Sequence, residues 1–245
     1  MFSFFKQNTQ SDTINNVLDQ IQTDWHCHVL PSIDDGSQNN EQTLAMLQLY
    51  QQAGIKQIVA TPHIHSDYYK NTPQTIAIAH SQTLELMLQN KIDIKLDFAA
   101  EYFANDHFLE LINQNNLLPI ANQYILFELP MQQAPIFGRD MVEQIHKLGY
   151  TPLLAHPERY RYWHNKPSEW AKWRDMGVCF QLNLLSLVGQ YGTAERQAAE
   201  TMVNLDFIDA VGTDAHNTAH LQKLANLSDN QYFKKLQTIP LLNGL

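Results

Sequence analysis

Beyond residue 20 the chain alternates between short apolar runs and longer stretches of helical periodicity. The apolar runs, rich in β-branched residues, fall at 55–60 (IKQIVA), 92–99 (IDIKLDFA), 124–129 (YILFEL), 150–155 (YTPLLA), 178–184 (VCFQLNL) and 207–212 (FIDAVG). A more polar stretch, 23–28 (TDWHCH), completes the series as a first strand. Helical patterns occupy 40–53, 73–90, 105–115, 138–148, 168–176, 193–204 and 217–226. Gly54, Gly149 and Gly177 stand where a helix should stop. Thr72-Pro73 reads as an N-cap followed by proline at the first helical position. Nearly apolar strands alternating with helices predict a parallel sheet covered on its outside. Seven β-α units and no proline-rich linker predict one α/β domain, a TIM-like barrel of about seven strands spanning 21–245. Residues 1–20 read as an N-terminal extension whose phenylalanines dock on the body.

Composition narrows the class. Of 245 residues 44% are hydrophobic, enough for a sizeable core. Sixteen Lys+Arg against 25 Asp+Glu leave a net charge of −9, which disfavours a nucleic-acid backbone as partner. No apolar run approaches the ~18 residues of a membrane span, and the three N-terminal phenylalanines are too few for a secretory core. Two distant cysteines, Cys27 and Cys179, form no CxxC pair, so a cytoplasmic setting is expected.

Candidate chemistry gathers at the predicted strand ends. The first strand ends in His26-Cys27-His28 and is followed by Asp34-Asp35-Gly36; the second ends at His63-Ile64-His65. Glu101 and Glu128 close the third and fourth; His156-Pro157-Glu158-Arg159 and Asp214-Ala215-His216 follow later strands. In a parallel barrel these ends share one face, where barrel enzymes build their sites. With 11 histidines, chance gives about 0.5 His-x-His pairs; the chain has two. Residues i and i+2 of a strand share a face, so His26 and His28 can reach one ion together. Asp34-Asp35-Gly36 alone reads as an ordinary turn, and an N-cap is the lesser reading of Asp214 beside that of ligand. Glu128, amid Tyr124, Ile125, Leu126, Phe127 and Leu129, needs a charged partner or a metal. Nine candidates (His26, His28, Asp35, His63, Glu101, Glu128, His156, Asp214 and His216) suit two or three ions. Imidazole with carboxylate fits zinc, manganese or iron(II). Arg159 offers either a phosphate fork or an ion pair with Glu158.

The strings DWHCHVLPSIDDGS, ATPHIH, AAEYF, ILFELP, LAHPERY and GTDAH together resemble the PHP (polymerase and histidinol phosphatase) superfamily over about residues 23–220. More closely, they resemble its bacterial protein-tyrosine phosphatases of the capsular or exopolysaccharide type. The resemblance implies a distorted (β/α)7 barrel with a three-metal site, manganese when active, held by those nine residues. It further implies Arg159 on the substrate phosphate and His65 on the substrate side. Asp214 or His216 would assist the leaving group. The implied substrate is phosphotyrosine on a bacterial tyrosine kinase, with a homo-oligomer compatible. After GTDAH the chain reads NTAHLQKL, without the arginine-bearing loop such phosphatases often carry. A small-molecule phosphatase acting on histidinol phosphate is the alternative with the same metal site. A binding module without turnover would need a broken ligand set. Cys27 lacks an arginine six residues on, as position 33 is Ile, and is expected to pack in the core. His80, His107, His146, His164 and His220 are expected off the site face. Trp163, Trp170 and Trp173 are expected in the core or at a subunit contact.

Overall fold

The computed structural model describes residues 20–244. The proposed extension lies outside the described residues except for Gln20. The elements are β1 (Thr23–Cys27), α1 (Asn40–Gln52), β2 (Gln57–Ala60), β3 (His63–Ile64), α2 (Pro73–Gln89), β4 (Lys95–Phe98), β5 (Glu101–Phe103), α3 (Asp106–Asn113) and β6 (Tyr124–Glu128). They continue with α4 (Gly138–Lys147), β7 (Thr151–Ala155), α5 (Pro167–Asp175), β8 (Cys179–Asn183), α6 (Leu184–Leu187), α7 (Thr193–Asn204), β9 (Ala210–Gly212), α8 (Thr218–Lys223) and α9 (Gln231–Leu236). Local chemistry explains many boundaries. Thr72 accepts from Thr75 N and closes a capping box ahead of Pro73, and the Asn39, Asn105 and Asn217 side chains each accept from the third N–H of α1, α3 and α8. Gly54, Gly149 and Gly177 have φ of 83°, 86° and 83°, so each ends its helix in the left-handed region.

Among the described residues the named strands all pair in parallel, in two sheets ordered β1-β2-β4 and β3-β5-β6-β7-β8-β9. The expected second and third strands are each split. Thr61-Pro62 interrupts one and Ala99-Ala100 the other, because proline at 62 cannot donate to a ladder. Hydrogen bonds still cross the breaks: Thr61 N to Cys27 O at 2.9 Å, and Glu101 N to Pro62 O at 3.1 Å. Beyond β9 the chain bonds to the exit of β1, with Asp214 N donating to His26 O at 2.7 Å and His28 N to Ala215 O at 3.0 Å. Short helices α6 and α9 and the 3₁₀ turns at Pro157–Arg159 and Arg161–Trp163 went unforeseen, being too short to show a period.

Side chains alternate between two apolar layers. Ile125, Phe127, Leu154, Phe180 and Leu182 pack toward the helices, while Leu126, Leu153, Ala155 and Ala210 form a second cluster with Trp25 and Val59. In β1 the register slips between Asp24 and Cys27, a bulge with one extra residue. It leaves Trp25 in the second cluster and Cys27 in the helix-facing core, where Cys27 is fully buried, as expected. Trp163, Trp170 and Trp173 are also core residues. Asp24, fully buried, ties β1 to the end of β9 and to α1: it accepts from Thr213 N, Thr213 Oγ1 and the Tyr50 hydroxyl.

Gly212 lies at the tightest approach of this seam. A Cβ there would sit 2.5 Å from Gln181 Nε2 and 2.6 Å from His26 Cβ. Gly212→Ala is therefore expected to cost about 1–3 kcal/mol, as overpacking does. Urea unfolding midpoints for the two proteins measure it, and an unchanged midpoint would contradict the packing described.

Candidate metal centre

The strand ends converge as the alternation requires. His26 and His28 leave β1, Glu101 opens β5 and Glu128 closes β6. Ala155 faces the inner cluster, so an uninterrupted strand would turn residue 156 outward. Instead His156 adopts φ 36° and ψ 55°, and its ring returns to the cluster with Nε2 3.1 Å from Glu101 Oε1. Asp214 also has positive φ, 49°. Two left-handed non-glycine residues at strand ends are strain of the kind held at functional sites.

Hydrogen bonds at the outer nitrogens orient the histidines. Gln181 Nε2 donates to Leu182 O, which turns Gln181 Oε1 toward His26 Nδ1 at 2.8 Å. Asp34 Oδ2 lies 2.8 Å from His28 Nδ1 and accepts its proton. Each ring then presents an Nε2 lone pair, and the two nitrogens are 3.2 Å apart. Such an arrangement repels unless a proton or a metal cation lies between them. Asp214 Oδ1 is 3.3 Å from both Nε2 atoms. Glu101 Oε2 is 3.3 Å from His26 Nε2 and 3.0 Å from His63 Nδ1. Glu128 Oε1 is 3.4 Å from His63 Nδ1, and Asp35 Oδ1 lies 3.4 Å from His63 Nε2 and 3.5 Å from His216 Nε2.

Three groups of donor atoms, each within 4.8 Å, result: His28, Asp35, His63 and His216; His26, His28 and Asp214; and His63, Glu101 and Glu128. His28 and His63 are shared, so the groups adjoin. His156 belongs to none of the three but touches Glu101. His63 Nδ1 and Glu101 Oε2, 3.0 Å apart, are buried without a hydrogen bond, a costly state that a bound cation would relieve. The donors therefore fit divalent ions.

Charge in the metal-free cluster is strongly coupled. Burial opposes protonation of His26, but Glu101 and Asp214 outweigh it and raise its pKa to about 10. For His216 burial is likewise outweighed by Asp214 and Asp35, giving about 9. Burial lowers His156 to about 4, helped by Arg159. Asp214 is held well below the usual carboxylate range, because His26 and His216 overcome its burial. Glu128 is raised by burial and by neighbouring Glu101.

Around the cluster, several placements differ from expectation. Arg159 does not pair with Glu158. Its Nη1 donates to Asp214 Oδ2 at 3.2 Å, while the buried Glu158 accepts from Asn183 N and Ser186 Oγ. Asp214 caps no helix; Asn217 caps α8. His65 lies beside the centre, stacked 4.0 Å from Phe103, its Nδ1 accepting from Asp67 N. His220, expected off the site face, is beside it: its ring is 5.8 Å from His216. Helix α8 begins just after the His216 strand end, which carries its first turn back over the site. Gln181, Asn183 and Tyr191 were missed, and Asp34, expected only within a turn, orients His28. Gln181 and Asn183, two residues apart in an otherwise apolar strand, were the readable signal.

A parallel α/β fold with adjoining groups of histidine and carboxylate at its strand ends defines a class of protein with side-chain groups that could hold metal ions. The model of the family described as capsular polysaccharide synthesis, CpsB/CapC, matches residues 22–236, and the chain belongs to that family. Tyrosine-protein phosphatase YwqE of Bacillus subtilis (strain 168) is 28% identical over 218 residues, 87% of this chain and 86% of the relative. Tyrosine-protein phosphatase CpsB of Streptococcus pneumoniae is 26% identical over 201 residues, 79% of this chain and 82% of that one. Among solved structures, one from the work on YwqE and CpsB as metal-dependent tyrosine phosphatases matches with a TM-score of 0.76 at 27% identity, covering 89% of this chain and 85% of that chain.

Metal loading should release protons. Coordination needs neutral imidazole, yet at pH 7 His26 and His216 carry protons in the metal-free protein. Apparent affinity for Mn²⁺ should therefore rise from pH 6 toward 9. Calorimetry in buffers of different ionisation enthalpy measures this, and heats independent of buffer would contradict it.

Proposed function

We propose that this protein is a metal-dependent protein-tyrosine phosphatase whose substrate is phosphotyrosine on a bacterial tyrosine kinase governing capsular or exopolysaccharide synthesis. The observation that carries the reading is the convergence of His26, His28, Asp35, His63, Glu101, Glu128 and Asp214 with His156 and His216, including the buried His63 Nδ1 and Glu101 Oε2, which lack hydrogen bonds. Family membership and the tyrosine-phosphatase relatives support it. The reading includes a distorted (β/α)7 barrel, supported by the bonds between the exits of β9 and β1. It treats 21–245 as one domain and assigns manganese to three sites, with zinc and iron(II) as the other ions the donors suit. A cytoplasmic setting belongs to it, with free Cys27 and Cys179 in accord. Among the described residues no helix is long and apolar enough to cross a membrane.

When bound, divalent ions supply a low-pKa water and neutralise phosphoryl charge. The chain does the rest. Gln181 and Asp34 hold His26 and His28 in the tautomer with Nε2 free. Arg159, one quarter exposed beside the cluster, offers its guanidinium to phosphoryl oxygens. Asp214 stays ionised and acts as an acceptor, so its expected role as a proton donor is dropped from this reading. His216 donates Nδ1–H to Asp214 O, leaving Nε2 either to bind an ion or to protonate the leaving group, but not both. Tyrosinate leaves with a pKa near ~10, so donation is the lesser need. Tyr68 and Ile136, both highly exposed, lie in loops 66–71 and 131–137; together with His65 they form the substrate side.

Metal-stripped protein should regain hydrolysis of a phosphotyrosine peptide on addition of Mn²⁺, well above its rate on histidinol phosphate. His156→Ala and Arg159→Ala should each lower that rate by about a hundredfold or more. Steady-state assays with Mn²⁺, Zn²⁺ or no metal measure this. Preference for histidinol phosphate would replace the substrate reading, and inactivity of the loaded protein on both would remove the enzymatic one.

A further inference from the structure

Arg159 and Asp214 meet at one aromatic ring that the chemistry above leaves unused. Tyr191 lies between α6 and α7, and the Arg159 guanidinium carbon stands 4.2 Å from its ring centroid. The Tyr191 hydroxyl accepts from Asn183 Nδ2 at 2.9 Å and donates to Asp214 Oδ2 at 3.3 Å. Asn183 Nδ2 reaches the same oxygen at 2.7 Å, and Arg159 Nη1 completes three donors on Asp214 Oδ2. The other oxygen, Oδ1, faces His26 and His28. The backbone is fixed as well. Glu158 accepts from Asn183 N and Ser186 Oγ, tying the 3₁₀ turn that carries Arg159 to the end of β8.

Arginine is rich in rotamers, and a ligand that must immobilise it loses affinity. A guanidinium already stacked on a ring has given up much of that freedom, and its planar fork stays open at the edge. Among the described residues, the bond from Nη1 to Asp214 is the one hydrogen bond of the Arg159 side chain, so its other guanidinium N–H groups remain for a ligand. We propose that Tyr191 is a positioning residue whose ring holds the Arg159 guanidinium ready for a phosphoryl group. This rests on the reading of Arg159 as the phosphate-binding arginine. The Tyr191 hydroxyl makes the longest of the three contacts on Asp214 Oδ2, and Asn183 and Arg159 hold that oxygen without it.

The test compares wild type, Tyr191→Leu, Tyr191→Phe, Arg159→Ala and the Arg159→Ala/Tyr191→Leu double variant, all loaded with Mn²⁺. Calorimetry reads inorganic phosphate affinity, and kinetics read KM and kcat for a phosphotyrosine peptide. Tyr191→Leu should weaken phosphate binding and raise KM by about fivefold, with a smaller change in kcat. Tyr191→Phe keeps the ring and should stay within about twofold. In the Arg159→Ala background the leucine substitution should add nothing, because the ring acts through the arginine. Wild-type affinity in Tyr191→Leu, or an equal loss in both backgrounds, overturns the proposal. If the leucine variant does not fold, Tyr191→Phe decides: a loss beyond about twofold assigns the effect to the hydroxyl and overturns the ring's role. Phosphate binding without peptide turnover would remove the phosphatase reading and leave Tyr191's role intact. Turnover without measurable phosphate binding by the wild type would do the reverse.

Discussion

His26 and His28 each commit Nδ1 to a fixed acceptor, and this forces two Nε2 lone pairs to within 3.2 Å of each other in a buried site. Two neutral imidazoles do not stay that way without a cation between them. The rest of the centre follows from this enforced convergence. Glu101 and Asp214 bring carboxylate oxygens to the same nitrogens, and His63 and His216 extend the cluster toward Asp35. Without metal, Glu101 and Asp214 raise the pKa of His26, and Asp214 and Asp35 that of His216, so protons take the cation's place.

Geometry of this tightness needs a scaffold with little play. The bulge in β1 sets Cys27 into the core. Asp24 fastens β1 to Thr213 and Tyr50, so the strand carrying His26 and the segment carrying Asp214 move as one. Close approach at Gly36, where a Cβ would lie 2.2 Å from His28 O, does the same for the loop bearing Asp34 and Asp35. Left-handed backbone at His156 and Asp214 is tolerated because both residues are buried and held by neighbours.

Asp214 shows how one carboxylate serves two neighbourhoods. Oδ1 belongs to the histidines, while Oδ2 gathers the arginine, the asparagine and the tyrosine. This division links the inner cluster to the residues a phosphate would meet first, and it places Arg159 against an aromatic ring instead of in solvent.

The chain's own pattern determined much of this. Strand and helix periods, helix-ending glycines and the Thr72-Pro73 cap are local properties, and all stand in the structure. Ligand-type residues were legible because imidazole and carboxylate at apolar strand ends have few other uses. The partners that orient them were not. Gln181 lies 155 residues from His26, and Asn183 and Tyr191 reach Asp214 from another strand and loop. Their roles depend on which strands become neighbours and on rotamers set by packing. Likewise, nothing local tells Arg159 to prefer Asp214 over adjacent Glu158, or brings His220 beside His216. Residue type and period are written along the chain, whereas the hydrogen bonds that turn a group of ligands into a site form only between segments that folding brings together.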